Sequence, residues 1–426
     1  MQHWKKNAAI FLTSQTISMF GSDIVYWAIY WYITGVTGGS GIWATLFIIA
    51  GFVPTLFLTP FAGVWADRYN KKYLINISDG FIAGVTLVMA LLFMLVFKEH
   101  YWLLLVALAL RTIASSVQMP AVSAMLPDII DREHLTRVNG IYGTLQAIIK
   151  IAGPATAGAL LTIPYVTVEM MFFVDIVTAL VAILILAFFL KIPKHVKEAQ
   201  IQRHANSKGY FEEIKSGFAY VKRTRFLKHF FIYFPIVCIM AAPVAFLTAA
   251  QATRNFGLNE NSWELSAIQV CFCIGMIIGG LSISAWGGFK NRVHTVVLAG
   301  LLIGVMSLLL GVPFFTKNNI YYYLIPIVFA GSALPLFNTP ANVILQERVD
   351  PAYLGRMFSI MTIMSSSMMP MGMLLFGPLA DLFPIEWLMI ASGIIILCIT
   401  FIISRDKPVL EAGTRKLNEE LETAYK

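Results

Sequence analysis

Apolar windows of about 20 residues or more, each long enough to cross a bilayer, succeed one another along nearly the whole chain. They fall near 8–34, 42–64, 73–97, 101–126, 139–163, 166–190, 226–253, 262–286, 293–315, 321–345, 357–381 and 384–404. Inside lipid a backbone satisfies its own polar groups only as a helix or a closed barrel. Uninterrupted apolar windows of this length, without strand-like alternation, are helices. The expected fold is therefore an all-α integral membrane protein with twelve transmembrane helices. Composition agrees, with 58% hydrophobic and only 13% charged residues in 426.

The net charge of +8 invites a nucleic-acid reading, but the bases sit in short gaps between apolar windows, which is how a membrane protein marks its cytoplasmic side. With the N-terminus inside, Lys98, Arg254 and Lys317 fall in outer gaps, Arg111 and Lys150 fall inside helices, and every other Lys and Arg is cytoplasmic. Both termini are expected in the cytoplasm. The first window follows Met1-Gln-His-Trp-Lys5-Lys6 and reads as a retained signal anchor rather than a cleaved leader. Cys238, Cys271, Cys273 and Cys398 lie within apolar windows, and Cys271-Phe-Cys273 lacks zinc-site spacing. No metal is expected.

The chain divides into a six-helix half over 1–190, a cytoplasmic linker over 191–225, a second six-helix half over 226–404 and a tail over 405–426. In the linker Phe211, Ile214, Phe218 and Val221 recur at helical spacing. Such an amphipathic helix rests either on the inner leaflet or on loops of its own protein. A repeat supports the division. Pro120-Ala-Val-Ser-Ala-Met-Leu-Pro followed by Asp131-Arg-Glu-His-Leu135-Thr-Arg137 resembles Pro340-Ala-Asn-Val-Ile-Leu-Gln-Glu followed by Asp350-Pro-Ala-Tyr-Leu354-Gly-Arg356. The halves read as parallel copies, with a substrate site expected between them near the midplane.

Between windows two and three stands Gly63-Val-Trp-Ala-Asp67-Arg68-Tyr-Asn70-Lys71-Lys72. It resembles the signature loop of the major facilitator superfamily, Gly-x-x-x-Asp-Arg/Lys-x-Gly-Arg/Lys-Arg/Lys, departing at Asn70. Asn is the next-best residue after Gly for a left-handed turn. Further words resemble the macrolide-efflux branch of that superfamily: Leu110-Arg111-Thr-Ile-Ala, Phe211-Glu-Glu-Ile-Lys-Ser-Gly217-Phe, Gly287-Gly-Phe289 and Tyr353-Leu-Gly-Arg356-Met-Phe-Ser359. The resemblance implies a bacterial cytoplasmic (inner) membrane protein, a proton-coupled antiporter exporting amphipathic small molecules. It implies no cofactor, the proton gradient being the energy source. It also implies that Gly63, Asp67, Arg68, Lys71 and Lys72, with Asp79, Asp128 and Asp131, form a cytoplasmic latch. Gly153-Pro154-Ala-Thr-Ala-Gly158 resembles, in degenerate form, the Gly-Pro element of antiporters. Its direct physical content is a bend or a close helix contact.

Asp23, Arg111 and Lys150 are mid-helix charges, Asp23 lying about 22 Å along its helix. Each costs on the order of 2.5–3.5 kcal/mol facing lipid, so all three should face an interior cavity. One acid cannot satisfy two bases, and the surplus positive charge must be hydrated, lose its proton or meet an anionic cargo. Asp23, paired alternately with Arg111 and Lys150, reads as a proton-linked switch; a static pair fixing helix packing is the other reading. Asp175 is a further candidate for proton coupling. Asp79, a couple of turns from the cytoplasmic end, reads as a partner for loop bases.

Tyr26, Trp27 and Tyr30 share the Asp23 face, and Gln118 and Gln146 stand near Arg111 and Lys150. Together with Met361, Met364 and Met368, whose flexible side chains repack around varied ligands, they make the expected substrate cavity. The chain has no Gly-x-x-x-x-Gly-Lys-Ser/Thr loop for ATP and no nucleophile beside its scattered His residues. A pump with its own nucleotide site and a membrane enzyme are thus excluded. An exporter of an endogenous anionic amphiphile, such as a siderophore or lysolipid, and a non-transporting sensor remain alternatives. The expected partners are a small-molecule substrate and the bilayer, without nucleic acid, the protein being a monomer.

Overall fold

The computed structural model describes residues 3–95, 100–130, 132–163, 165–190, 220–259, 262–312, 319–349 and 351–414. Within them the long elements are all helices: α1 His3–Val36, α2 Gly41–Arg68, α3 Lys71–Leu95, α4 Trp102–Ile129, α5 Arg132–Leu161, α6 Val168–Phe189, α7 Arg225–Phe246, α8 Thr248–Phe256, α9 Trp263–Trp286, α10 Arg292–Leu310, α11 Ile320–Arg348, α12 Pro351–Leu382, α13 Ile385–Arg405 and α14 Lys407–Ala412. With α7 and α8 counted as one interrupted span, twelve long segments are described, matching the expected windows. Ten of them are long and apolar enough to cross a membrane by length and composition among the described residues. Of the other two, α1 carries Ser14, Gln15, Ser18, Ser22 and Asp23, and several side chains of α12 lie outside the described residues. Of the expected amphipathic linker helix, residues 191–219 lie outside the described residues, as do 415–426 of the tail.

The chain folds into two compact units, one formed by Met1–Val36, Leu46–Ser207 and Asn259–Ser266, the other by Thr37–Thr45, Lys208–Leu258 and Ala267–Lys426. In the first, α1 packs on α5 and α6, and α3 on α4 and α6. In the second, α7 packs on α12 and α13, and α10 on α11 and α13. Helix for helix this is the same pairing scheme, the structural counterpart of the sequence repeat.

Each unit has a dry core towards the helix ends that the charge pattern assigns to the cytoplasm. Phe11, Ile75, Met125, Leu126, Ile129 and Leu186 build it in the first; Leu227, Phe234, Val293, Leu345, Met357 and Val409 in the second. The short α14 joins the second core through Val409. Asp406 accepts from Tyr233 Oη at 2.7 Å and lies 3.1 Å from His229 Nδ1, and Arg348 donates to the carbonyls of Ala412 and Thr414 at 3.1 and 2.8 Å. Burial raises the Asp406 pKa, but the donors from Tyr233, His229 and the Val409 amide outweigh it and hold the carboxyl below its ordinary value.

Proline and glycine set a close contact in the second unit. Pro243 has no N–H to donate to the carbonyl four residues back, that of Ile239. Gly372 of α12 approaches that carbonyl so closely that a Cβ would lie 2.6 Å from it. At the start of α2, Asp381 of α12 accepts from Ser40 Oγ, Gly41 N and Ile42 N at 2.8, 2.8 and 2.9 Å, and from Arg254 at 2.5 Å. This acid near a helix end satisfies the exposed amides of a helix N-terminus.

Candidate functional site

Above the core of the first unit lies a cavity of about 540 Å³, lined by residues of α1, α3, α4 and α5. On α1 the lining residues are Gln15, Ser18, Met19, Ser22, Asp23 and Tyr26, the repeat of three and four that puts side chains on one helical face. Opposite stand Arg111, Ser115, Gln118 and Met119 from α4, and Tyr142, Gln146 and Lys150 from α5. The expected midplane charges thus do gather in one cavity, and Tyr26, Gln118 and Gln146 join them.

Their partners differ from those expected. Arg111 is ion-paired with Asp175 of α6 rather than with Asp23. Asp175 is fully buried. It also accepts from Ser22 Oγ at 2.9 Å and lies 3.0 Å from Thr86 Oγ1, to which Arg111 donates as well. A buried guanidinium with carboxylate and hydroxyl partners is a satisfied network. The packing of α3 between α4 and α6 brings it together. Asp23 pairs with Lys150, Nζ to Oδ1 at 3.3 Å, the lysine side chain being 67% exposed and the acid buried. Two acids therefore meet two bases, and the surplus base expected from the sequence disappears.

Asp79 is the larger correction. Instead of meeting loop bases it is buried among helices, 1% exposed. Ser18 Oγ and Gln118 Nε2 donate to its Oδ1 at 2.6 and 2.8 Å. Its Oδ2 has no hydrogen-bond partner among the described residues. Ser18, Ser22 and Thr86 were not singled out in the sequence, where lone hydroxyls within apolar helices carry little signal.

Gly153 explains how Asp23 reaches α5. A Cβ at Gly153 would lie 2.1 Å from Asp23 Oδ2, so only glycine leaves room for the carboxylate. At Gly158 a Cβ would lie 2.0 Å from Ser266 Oγ, a second close approach beside Pro154, over which α5 continues.

Other expected cavity residues lie elsewhere. Tyr30 is buried against Phe47, ring centroids 5.0 Å apart, and Trp27 packs on Tyr30 and Trp31. Neither lines the cavity. Met361 is buried in the second unit's core, with Met364 packed against it, and Met368 is half-buried. Helix spacing alone did not separate a core stripe from a cavity stripe.

The side chains of Gly63, Asp67 and Arg68 in the last turns of α2, and all of Asp131, lie outside the described residues. Buried Lys71 pairs with Asp128 of α4. Lys72 Nζ donates to the carbonyls of Ala187 and Leu190 at 2.9 and 2.8 Å, a cation at the C-terminal end of α6. Both contacts tie helices of the first unit to one another. Asn70 is not left-handed, since no non-glycine residue among those described has a positive φ. Its Oδ1 accepts from the amides of Lys72 and Tyr73 at 3.1 and 3.4 Å, so Asn stands in for the signature Gly as a helix N-cap. No group of three metal-ligating side chains occurs among the described residues.

Known proteins share this architecture and sequence. The family model described as Major Facilitator Superfamily matches residues 11–373 and, again, 230–420. Macrolide efflux protein A of Streptococcus pyogenes is 24% identical over 400 residues, covering 94% of this chain and 96% of that protein. The staphyloferrin A transporter of Staphylococcus aureus is 27% identical over 396 residues, covering 92% and 94%. Among solved structures, a bacterial homologue of the iron transporter ferroportin, in an inward-facing state, has a TM-score of 0.67 at 15% identity, covering 94% of this chain and 99% of that one. With a family model spanning most of the chain, this multi-pass membrane protein belongs to the Major Facilitator Superfamily and is a transporter, not an enzyme.

Proposed function

We propose that the protein is a proton-coupled antiporter of a bacterial cytoplasmic membrane, with both termini inside, exporting amphipathic small molecules of the macrolide kind by alternating access. The observation that carries the reading is the cavity of the first unit. It offers the Tyr26 ring and methionine for an apolar body, and Ser, Gln and the Asp23–Lys150 pair for polar groups. Three carboxyls, Asp23, Asp79 and Asp175, stand against two bases. A spare acid suits exchange of a proton against a neutral or cationic amphiphile better than it suits an anionic one. The similarity to macrolide efflux protein A over nearly the whole chain agrees. No cofactor takes part, and Lys71 with Asp128 acts in the cytoplasmic latch.

A second reading, export of an endogenous siderophore-like anion, is favoured by the likeness to the staphyloferrin A transporter. In it Lys150, largely exposed beside Asp23, meets the anionic group. A susceptibility panel of a deletion strain, beside its siderophore and lipid content, separates the two. The first reading expects greater sensitivity to erythromycin and related lipophilic drugs with unchanged siderophore export. Unchanged susceptibility to the whole panel contradicts it.

A further inference from the structure

Within the proton-coupled reading, on which this inference rests, the charged pairs first suggest themselves as the proton's seat. Asp175 is fixed by Arg111, Ser22 and Thr86, and adding a proton there breaks a buried ion pair. Asp23 faces Lys150, so its protonation likewise gives up an ion pair. Asp79 differs in kind. No cation pairs with it among the described residues, and both of its partners are neutral. A seryl hydroxyl and a primary amide each offer a donor and an acceptor. Rotating the Ser18 hydroxyl, or turning over the Gln118 amide, meets either protonation state of the carboxyl. A proton can therefore come and go with no salt bridge made or broken, whereas the carboxylate alone, unpaired in an apolar interior, carries a desolvation cost that a proton removes.

We infer that Asp79 is the proton-carrying residue of this transporter, set behind the cavity wall and reached through Ser18 and Gln118. Both of those side chains line the cavity as well as bonding Asp79, so they bridge between it and the carboxyl. The charged groups on the helices that pack on α3 or bond Asp79 are Arg111 and Asp128 on α4, Asp175 and Glu169 on α6, and Lys5, Lys6 and Asp23 on α1, with Lys71 and Lys72 on α3 itself. Of the acids and bases among them, Arg111 is paired with Asp175 and Lys71 with Asp128, while Lys72 caps α6. Asp175 is then a fixed framework charge, Asp23 keeps its charge through the pair with Lys150, and Asp79 is the group whose charge varies. Its ionised form adds one negative charge beside the cavity, and its protonated form removes it. The step is a bare proton transfer: the proton passes between cavity water and a carboxylate oxygen of Asp79, and no other bond changes.

The test reads the proton directly. In the purified protein in lipid, pH-difference infrared spectra report the C=O stretch of a carboxyl that titrates in an apolar site. One such band is expected in the wild type. It should shift on carbon-13 labelling of aspartate carboxyls, vanish in Asp79→Asn and persist in Asp23→Asn. In Asp79→Glu a band should return that no longer responds to the aspartate label, a control that holds should the Asn variant be damaged. A band that persists in Asp79→Asn, or that is lost in Asp23→Asn, overturns the assignment. In proteoliposomes loaded for export, ΔpH-driven movement of radiolabelled erythromycin should fall at least tenfold in Asp79→Asn, with partial recovery in Asp79→Glu. Wild-type protein that ignores ΔpH refutes proton coupling itself. Wild-type coupling that survives intact in Asp79→Asn refutes only the role given to Asp79.

Discussion

Two ion pairs in one cavity wall should contribute very differently to stability, and the difference is measurable. Arg111 and Asp175 are 8% and 0% exposed, so Asp175→Asn leaves a guanidinium without its counter-charge. Breaking a buried pair by removing one partner costs about 3–5 kcal/mol, which at about 1.4 kcal/mol per decade shifts the folding equilibrium more than a hundredfold. Replacing both by leucine removes the stranded charge, and Thr86 can fall back on the Ile82 carbonyl at 2.8 Å. The double variant should therefore recover most of the loss. Asp23→Asn leaves a lysine that is 67% exposed and free to hydrate, so its cost should stay within about 1 kcal/mol. Heating the purified variants in detergent micelles, with tryptophan fluorescence as the readout, gives the ranking. Equal destabilisation by Asp175→Asn and Asp23→Asn, or a double variant no better than Asp175→Asn, would refute the assignment of a framework pair and an open pair.

Other perturbations follow from single contacts. Gly153→Ala places a Cβ 2.1 Å from Asp23 Oδ2; it should cost about 1–3 kcal/mol and cut transport at least tenfold, with Asp23→Ala restoring stability but not transport. Asp381→Ala removes the cap of α2 and should cost about 1–2 kcal/mol, read as earlier thermal unfolding. Asp406 has its pKa held below the ordinary 3.8, so its contribution is present above that value and lost as pH falls further. Asp406→Asn should therefore flatten the decline in heat stability as pH falls below about 4.

The sequence made the membrane class, the helix count and the repeat legible, because lipid demands long apolar helices and the gaps between them collect the charges. It also marked Asp23, Arg111 and Lys150 as inward-facing, since a mid-helix charge has few other places to go. The pairings were not legible. They depend on which helices adjoin, and the placement of α3 between α4 and α6 takes Arg111 to Asp175. Asp79 looked superficial because its depth along α3 is small, yet Ser18 of α1 and Gln118 of α4 enclose it. Asn70 was ambiguous for a chemical reason: the same residue suits a left-handed turn and a helix cap, and only the backbone tells which. Gly153 signalled a close approach without saying what approaches, and the answer is the Asp23 carboxylate.

Proton-coupled export is tested most directly by trapping the pH dye pyranine inside proteoliposomes of the purified protein and following it while erythromycin is driven across the membrane by its own gradient. The account predicts a proton flux opposite in direction to the drug, absent from protein-free vesicles and abolished in Asp79→Asn. Erythromycin movement with no accompanying change in internal pH would contradict it.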